Sequence, residues 1–279
     1  MPLNVFAVGA SRNIGYYSAI RLLAKGATVT FLLRSPSVFD ADSLIQEHIK
    51  SGKVRLVKGD ALNASNVEAA WAEASKDGPV DVLLYTLGAV GGSLHPIKGV
   101  VIDPPNLVTL ALTTVLCSMP KSATVPPPKI VVVTSSGVSP SSRKKMPYVL
   151  KPLYGYMIPG PLQDKLATER ILWHCAGWEW NPADGEPSAE VLNKDWKATE
   201  GLPAAGSLKD IVVLRPALLI DCECLADSAA EQGKPVPYRC GPGEVGGWKV
   251  SRKDCAHFIV EGILEDWETW GGKQLSIAY

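Results

Sequence analysis

The chain has 279 residues, of which 46% are hydrophobic, with 28 Lys+Arg set against 28 Asp+Glu. A balance this even excludes the broad basic surface that nucleic acid or an anionic membrane attracts, and no apolar run approaches the roughly 20 residues needed to cross a bilayer. The six cysteines (Cys117, Cys175, Cys222, Cys224, Cys240, Cys255) have no paired CxxC spacing, and the four histidines have no ligand spacing, so neither a disulfide framework nor a metal site is expected.

Leu3 to Val8 is a short apolar run suited to a strand buried on both faces. Gly9-Ala10-Ser11-Arg12-Asn13-Ile14-Gly15 follows as a glycine turn, then a helix with Ile14, Ala19, Ile20 and Leu23 facing inward and Gly26 at its stop. Val29 to Leu33 resumes strand character. One β-α-β unit of this form is the usual seat of a dinucleotide, whose pyrophosphate meets free N–H groups at the helix start. Gly9 serves the tight turn and Gly15 the close packing of helix on strand, while Asn13 stands where the fingerprint has its middle glycine and tolerates positive φ. At the end of the second strand an NAD-binding chain carries an acidic residue for the ribose hydroxyls; this one has Arg34 and Ser35. With Arg12 inside the turn, two guanidinium groups suit a 2′-phosphate, so NADP(H) is the expected cofactor. A strand opening at Leu3 leaves no room for a leader peptide, and a reduced, cytoplasmic protein is expected.

A helix over 41–50 leads to a third strand, Val54 to Lys58, closed by Gly59-Asp60. Asp60 and Ala61 then sit where an adenine could be hydrogen-bonded; Asp60 could equally cap the following helix, Ala64 to Lys76, and the two roles are compatible. A fourth strand over Val80 to Leu84 runs into Tyr85-Thr86-Leu87-Gly88 and further glycines, a pattern that places Leu87 and Gly88 close to a ligand. A helix over Asn106 to Met119 precedes a fifth strand, Ile130 to Thr134, which ends in Ser135-Ser136-Gly137 on the ligand side. Tyr154 and Tyr156 lie in a Pro/Gly-bounded loop before a helix starting at Pro161 and containing Lys165. The Trp/Pro-rich stretch at about 176–207 breaks the rhythm and reads as an insertion, either a lid or an interaction surface. A sixth strand over Ile211 to Leu214, a helix over Cys255 to Glu265 capped by Ser251, and a last strand over Lys273 to Ala278 complete the chain. Strands alternating with helices predict an α/β fold: a Rossmann-type doubly wound parallel sheet over 1–279, one domain, with a small C-terminal substrate-covering part from Trp173 to Ser207 and Leu218 to Trp248.

In this order, the Gly9–Gly15 turn, Arg34, Gly59-Asp60, Thr134-Ser135-Ser136, Asp164 to Glu169, Val213 to Ala217 and Ser251 to Ala256 resemble the atypical short-chain dehydrogenase/reductases, specifically their NmrA-like, NAD(P)H-binding branch. The resemblance implies NADP(H) and activities from flavin and biliverdin reduction to ketone or alkene reduction, and also members that only sense the cofactor. It implies that Ser135 and Lys165 occupy the places of the main group's catalytic serine and lysine. The residue four before Lys165, where the proton-donating tyrosine belongs, is Pro161. Three readings follow: Tyr156 or Tyr154 serves as the acid; water protonates a conjugated acceptor that Ser135 merely positions; or the protein reports cofactor redox state to a protein partner. Lys165 could also reach the ribose hydroxyls. The expected function is NADPH-dependent hydride transfer to a small planar conjugated acceptor (flavin, quinone, enone or ketone), with a non-catalytic NADP(H) sensor as the alternative.

Overall fold

The computed structural model describes residues 2–88, 93–95, 99–144 and 159–279. Its centre is a sheet of eight strands, entered through β1 (Asn4–Val8), whose side chains alternate between two cores. Val5 and Ala7 enter one core; Phe6 and Val8 enter the other. Helix α1 (Asn13–Ala24) buries Ile14, Ala19 and Leu23 against the first of these and stops at Gly26, whose φ of 84° is the left-handed geometry of a helix end.

The chain then lays down β2 (Thr28–Leu33), α2 (Ser43–Lys50), β3 (Val54–Lys58), α3 (Ala64–Ala74) and β4 (Val82–Tyr85). Helix α2 starts later than the predicted residue 41 because the Asp42 carboxylate accepts the Ile45 N–H and caps it there. Next come a short hairpin of β5 (Ser93–His95) and β6 (Gly99–Val101), then α4 (Leu107–Cys117), β7 (Lys129–Val133), α5 (Pro140–Lys144) and α6 (Pro159–Ala176). The remaining elements are β8 (Ile211–Pro216), β9 (Leu218–Ile220), α7 (Leu225–Glu231), β10 (Arg239–Pro242), β11 (Lys249–Ser251), α8 (Arg252–His257), α9 (Trp267–Trp270) and β12 (Lys273–Ala278).

Strand order is β10-β12-β8-β7-β4-β1-β2-β3, and all neighbours are parallel except β10 with β12. The doubly wound Rossmann-type sheet is therefore as expected, with one correction: an antiparallel strand lies at its edge, inside the Leu218 to Trp248 stretch expected to belong to the small C-terminal substrate-covering part. Pro242 closes that strand, a residue tolerated at a sheet edge because no further strand requires its missing N–H. Helices α1, α2 and α8 cover one face, and α3, α4 and α6 the other. The helix predicted over 255–265 begins earlier, at Arg252, with Ser251 capping it as expected through the Asp254 N–H; its second half, Phe258–Leu264, is wound as a π-helix. Gly262 makes room there, since a Cβ would lie 2.5 Å from the Phe258 ring. No described helix is long and apolar enough to cross a membrane.

The stretch after α6 folds as two single helical turns, Pro182–Asp184 and Trp196–Ala198, and its aromatic residues are consumed by packing. Trp196 is buried, Trp178 and Trp180 stack edge-on against Trp173, and the Arg170 guanidinium lies over the Trp180 ring. The tryptophans thus brace the sheet face covered by α4 and α6.

Candidate functional site

Parallel strands bring their C-terminal ends to one edge, and five of the motifs singled out in the sequence follow such ends: Gly9 after β1, Arg34 after β2, Asp60 after β3, Thr86 after β4 and Ser135 after β7. The winding direction reverses between β1 and β4, the kind of switch point at which doubly wound sheets meet their ligands. The turn after β1 is sewn to the exit of β4. Thr86 Oγ1 donates to the Gly9 carbonyl at 3.1 Å, and a Cβ on Gly9 would sit 2.3 Å from the Leu87 nitrogen. On Gly15 a Cβ would lie 2.2 Å from Thr86 Oγ1, so both glycines are required by contact. Asn13 adopts a φ of 58°, the left-handed geometry for which its residue type is suited.

Arg12, in extended conformation, precedes α1 without any side-chain cap, which leaves the helix start and its positive end open beside Ser11, Asn13, Ile14 and Gly15. Arg12, Arg34 and Ser35 are exposed along this edge. Arginines 21, 55, 170, 215 and 252 are held in ion pairs; among the described residues, Arg12 and Arg34 are in none. Ser35 and Ser37 pair their hydroxyls at 2.8 Å. Asp60 does not cap α3: Asn63 does, accepting from Asn66 N, while Asp60 Oδ1 accepts from Leu62 N at 2.9 Å in a local turn. Ala61 and Leu87 are half-buried, and Gly88 is exposed. This donor set of cations, hydroxyls and an uncapped helix start fits an anionic dinucleotide diphosphate.

A second group gathers two strands away. Lys165 Nζ donates to the Thr134 carbonyl at 2.7 Å, directly before Ser135. Burial lowers the Lys165 ammonium to about 8, against the opposing pull of Glu169 and Asp164. Ser135 is half-buried and its hydroxyl donates to the Ser136 carbonyl at 3.0 Å; Ser136 Oγ donates to the Arg215 carbonyl. Tyr154 and Tyr156 lie outside the described residues.

The sequence reading missed what surrounds Ser135. Glu169, fully buried one helical turn after Lys165, accepts the Thr134 hydroxyl at 2.7 Å and a two-pronged grip from Arg215, at 2.9 Å from Nε and 2.5 Å from the terminal nitrogen. The other Arg215 nitrogen stands 3.5 Å from Glu244, which accepts from Ser142 Oγ; that oxygen in turn accepts the Gly137 N–H. The network thus closes around Ser135 and Ser136. Its only advance sign was the spacing Lys165…Glu169 with Arg215 at a strand end. Asp164, also fully buried, caps α4 with both oxygens, accepting from Val108 N and Thr109 N. At the opposite edge of the sheet a depression of about 340 Å³ around Asn4, Arg55, Asp77 and Asp81 is remote from all these groups.

No protein-family model matches the chain. Over 271 residues, 92% of this chain and 90% of the relative, it is 23% identical to the reductase pytE of Aspergillus terreus. The anaerobillin reductase ChuY of Escherichia coli O157:H7 superposes with a TM-score of 0.55 at 20% identity, covering 98% of this chain and 96% of its own. An alcohol dehydrogenase from the archaeon Thermococcus sibiricus, solved with 5-hydroxy-NADP, reaches 0.58 at 18% identity, covering 98% and 95%. At these identities the likeness establishes the architecture: the chain has the Rossmann-type fold of these proteins.

Proposed function

We propose that the chain is a cytosolic NADPH-dependent reductase, of the atypical short-chain dehydrogenase/reductase kind and its NmrA-like branch, that delivers hydride to a small planar conjugated acceptor such as a flavin, quinone or enone. The observation that carries this reading is the placement, on one sheet edge, of an uncapped α1 start flanked by Arg12 and Arg34 and, two strands on, Ser135 with Lys165. The reductase activities named for pytE and ChuY, and the NADP analogue held by the archaeal enzyme, support it.

In this reading the amides at Asn13 to Gly15 hold the pyrophosphate, and Arg12, Arg34 and Ser35 hold the 2′-phosphate. Asp60, Ala61, Leu87 and Gly88 border the adenine and the path toward the ring end. The bound nicotinamide supplies hydride. Lys165 supports the ribose hydroxyls, and the Ser135 hydroxyl turns from the Ser136 carbonyl to orient the acceptor. A conjugated acceptor that takes up hydride becomes a delocalised anion, which water can protonate. The reading therefore needs no acid four residues before Lys165, where Pro161 stands. One observation favours a non-catalytic NADP(H) sensor with a protein partner: Lys165 and Ser135 both spend their polar atoms on backbone carbonyls.

The test is NADPH oxidation by the purified protein against a panel of flavins, quinones, enones and ketones, beside NADPH and NADH titrations. Binding with turnover on a conjugated acceptor is the expected result. Binding without turnover on any acceptor moves the reading to the sensor, and absence of binding overturns both.

A further inference from the structure

Lys165 presents an unusual problem. It is half-buried, and its hydrogen bond at the end of β7 goes to a neutral carbonyl, that of Thr134. An ammonium so placed loses its proton readily unless a fixed negative charge faces it. Among the described residues, the charged groups around it are Asp164 and Glu169 on its own helix and, behind Glu169, Arg215 of β8 with Glu244 and Asp184 near that guanidinium. Asp164 is turned toward α4, where both its oxygens are occupied by Val108 and Thr109. Glu169 is turned toward β7 and β8. It holds Thr134 by the hydroxyl while Lys165 holds the same residue by the carbonyl.

We propose that Glu169 is a positioning residue for Lys165: clamped by Arg215 and Thr134, it holds a fixed negative charge one helical turn away that keeps the Lys165 amine protonated and seated at the end of β7. The proposal rests on the reductase reading only for its consequence, a charged lysine beside ribose and acceptor. The geometry itself involves neither. Burial of the lysine alone would drive its titration downward, and the Glu169 charge opposes this.

The experiment is trace acetylation of the full-length protein, without cofactor or acceptor, over a pH series. The Lys165 peptide is quantified by mass spectrometry, because only the neutral amine reacts. Glu169→Gln should shift the Lys165 midpoint down by about one unit or more, the effect of removing a nearby opposite charge. Glu169→Asp, which retains the charge, should restore most of the midpoint. A purely structural Glu169 would change unfolding in both variants and leave the midpoint of the folded protein in place; that outcome overturns the proposal. If Glu169→Gln does not fold, the wild-type profile decides: a midpoint below about 7 shows an amine that the carboxylate does not sustain. Labelling requires no turnover. An intact shift with no activity on any acceptor would refute the reductase reading and leave the assignment of Glu169 standing. An unmoved midpoint in an active enzyme would do the reverse.

Discussion

Asp254 holds the C-terminal part of the molecule together, and its replacement by Asn is the sharpest available test of how that part is seated. The carboxylate is fully buried. It accepts the Ser251 hydroxyl at 2.5 Å, the Tyr279 hydroxyl at 2.6 Å, and the Leu225 and Ala226 N–H groups at 3.1 and 2.8 Å. One side chain thereby caps α7, closes the start of α8 and tethers the last residue. An Asn keeps one acceptor oxygen and turns an NH2 donor toward groups that are themselves donors. The Ala226 bond is lost if the NH2 takes the place of Oδ1, and the Leu225, Ser251 and Tyr279 bonds if it takes that of Oδ2; either way a buried donor is left facing donors. At about 1.5–3 kcal/mol for a charge-assisted bond, with partial relaxation, we expect Asp254→Asn to cost about 3–5 kcal/mol. That is a large part of the roughly 5–15 kcal/mol that holds a domain together.

The assay is urea unfolding at neutral pH followed by circular dichroism, with the slope unchanged and the midpoint lowered. Acidification supplies a second reading. Burial pushes the Asp254 carboxyl up, but the bonds from Ser251, Tyr279, Ala226 and Leu225 outweigh it and hold the group below the ordinary carboxylate value. A folded-state value that is depressed contributes stability above the unfolded value near ~3.9, and this is lost as pH falls through the folded value. The gap between wild type and Asp254→Asn should therefore be full at neutral pH and narrow on strong acidification. A loss below about 1 kcal/mol at neutral pH, or a gap that widens in acid, would refute the reasoning.

Gly9→Ala would place a Cβ 2.3 Å from the Leu87 nitrogen at a φ of 77°, and should cost about 2–4 kcal/mol, read as a fall in Tm of roughly 3–7 °C; an unchanged Tm would show that the two turns are not sewn together as described. Arg34→Asp should weaken NADPH binding about 10- to 100-fold and NADH binding far less, since only the former carries the 2′-phosphate. Equal losses in paired titrations would remove Arg34 from that role. Ser135→Ala should lower kcat/KM on a conjugated acceptor about 10-fold or more with NADPH affinity intact. Full activity in that variant would confine the hydroxyl to its bond with the Ser136 carbonyl.

The parts legible in advance were those governed by near neighbours in the chain. The apolar runs at Val5–Val8 and Val29–Leu33, the glycines at 9 and 15, and Ser251 before α8 each signal through contacts within a few residues. Asp60 shows the limit of such signals: it is legible as a cap for α3, yet the helix starts at Ala64, so Asn63 directly before it takes the cap and Asp60 accepts from Leu62 N in its own turn. The Trp/Pro-rich stretch announced its oddity but not its role, because whether a tryptophan is presented or packed depends on the distant surfaces of α4 and α6.

The sequence by itself therefore determined the winding of the sheet and the edge on which a ligand would meet it. Strand burial and helix-start chemistry are written residue by residue, and parallel connections leave few alternatives. Only the tertiary structure decided which charges meet. Glu169 and Arg215 are 46 residues apart, and Ser142 and Glu244 are 102 apart. Any of the 28 acidic side chains could have partnered any cation on composition alone. What selects among them is desolvation: a carboxylate removed from water is tolerated only where the fold delivers donors to it, and that delivery is a property of packed elements.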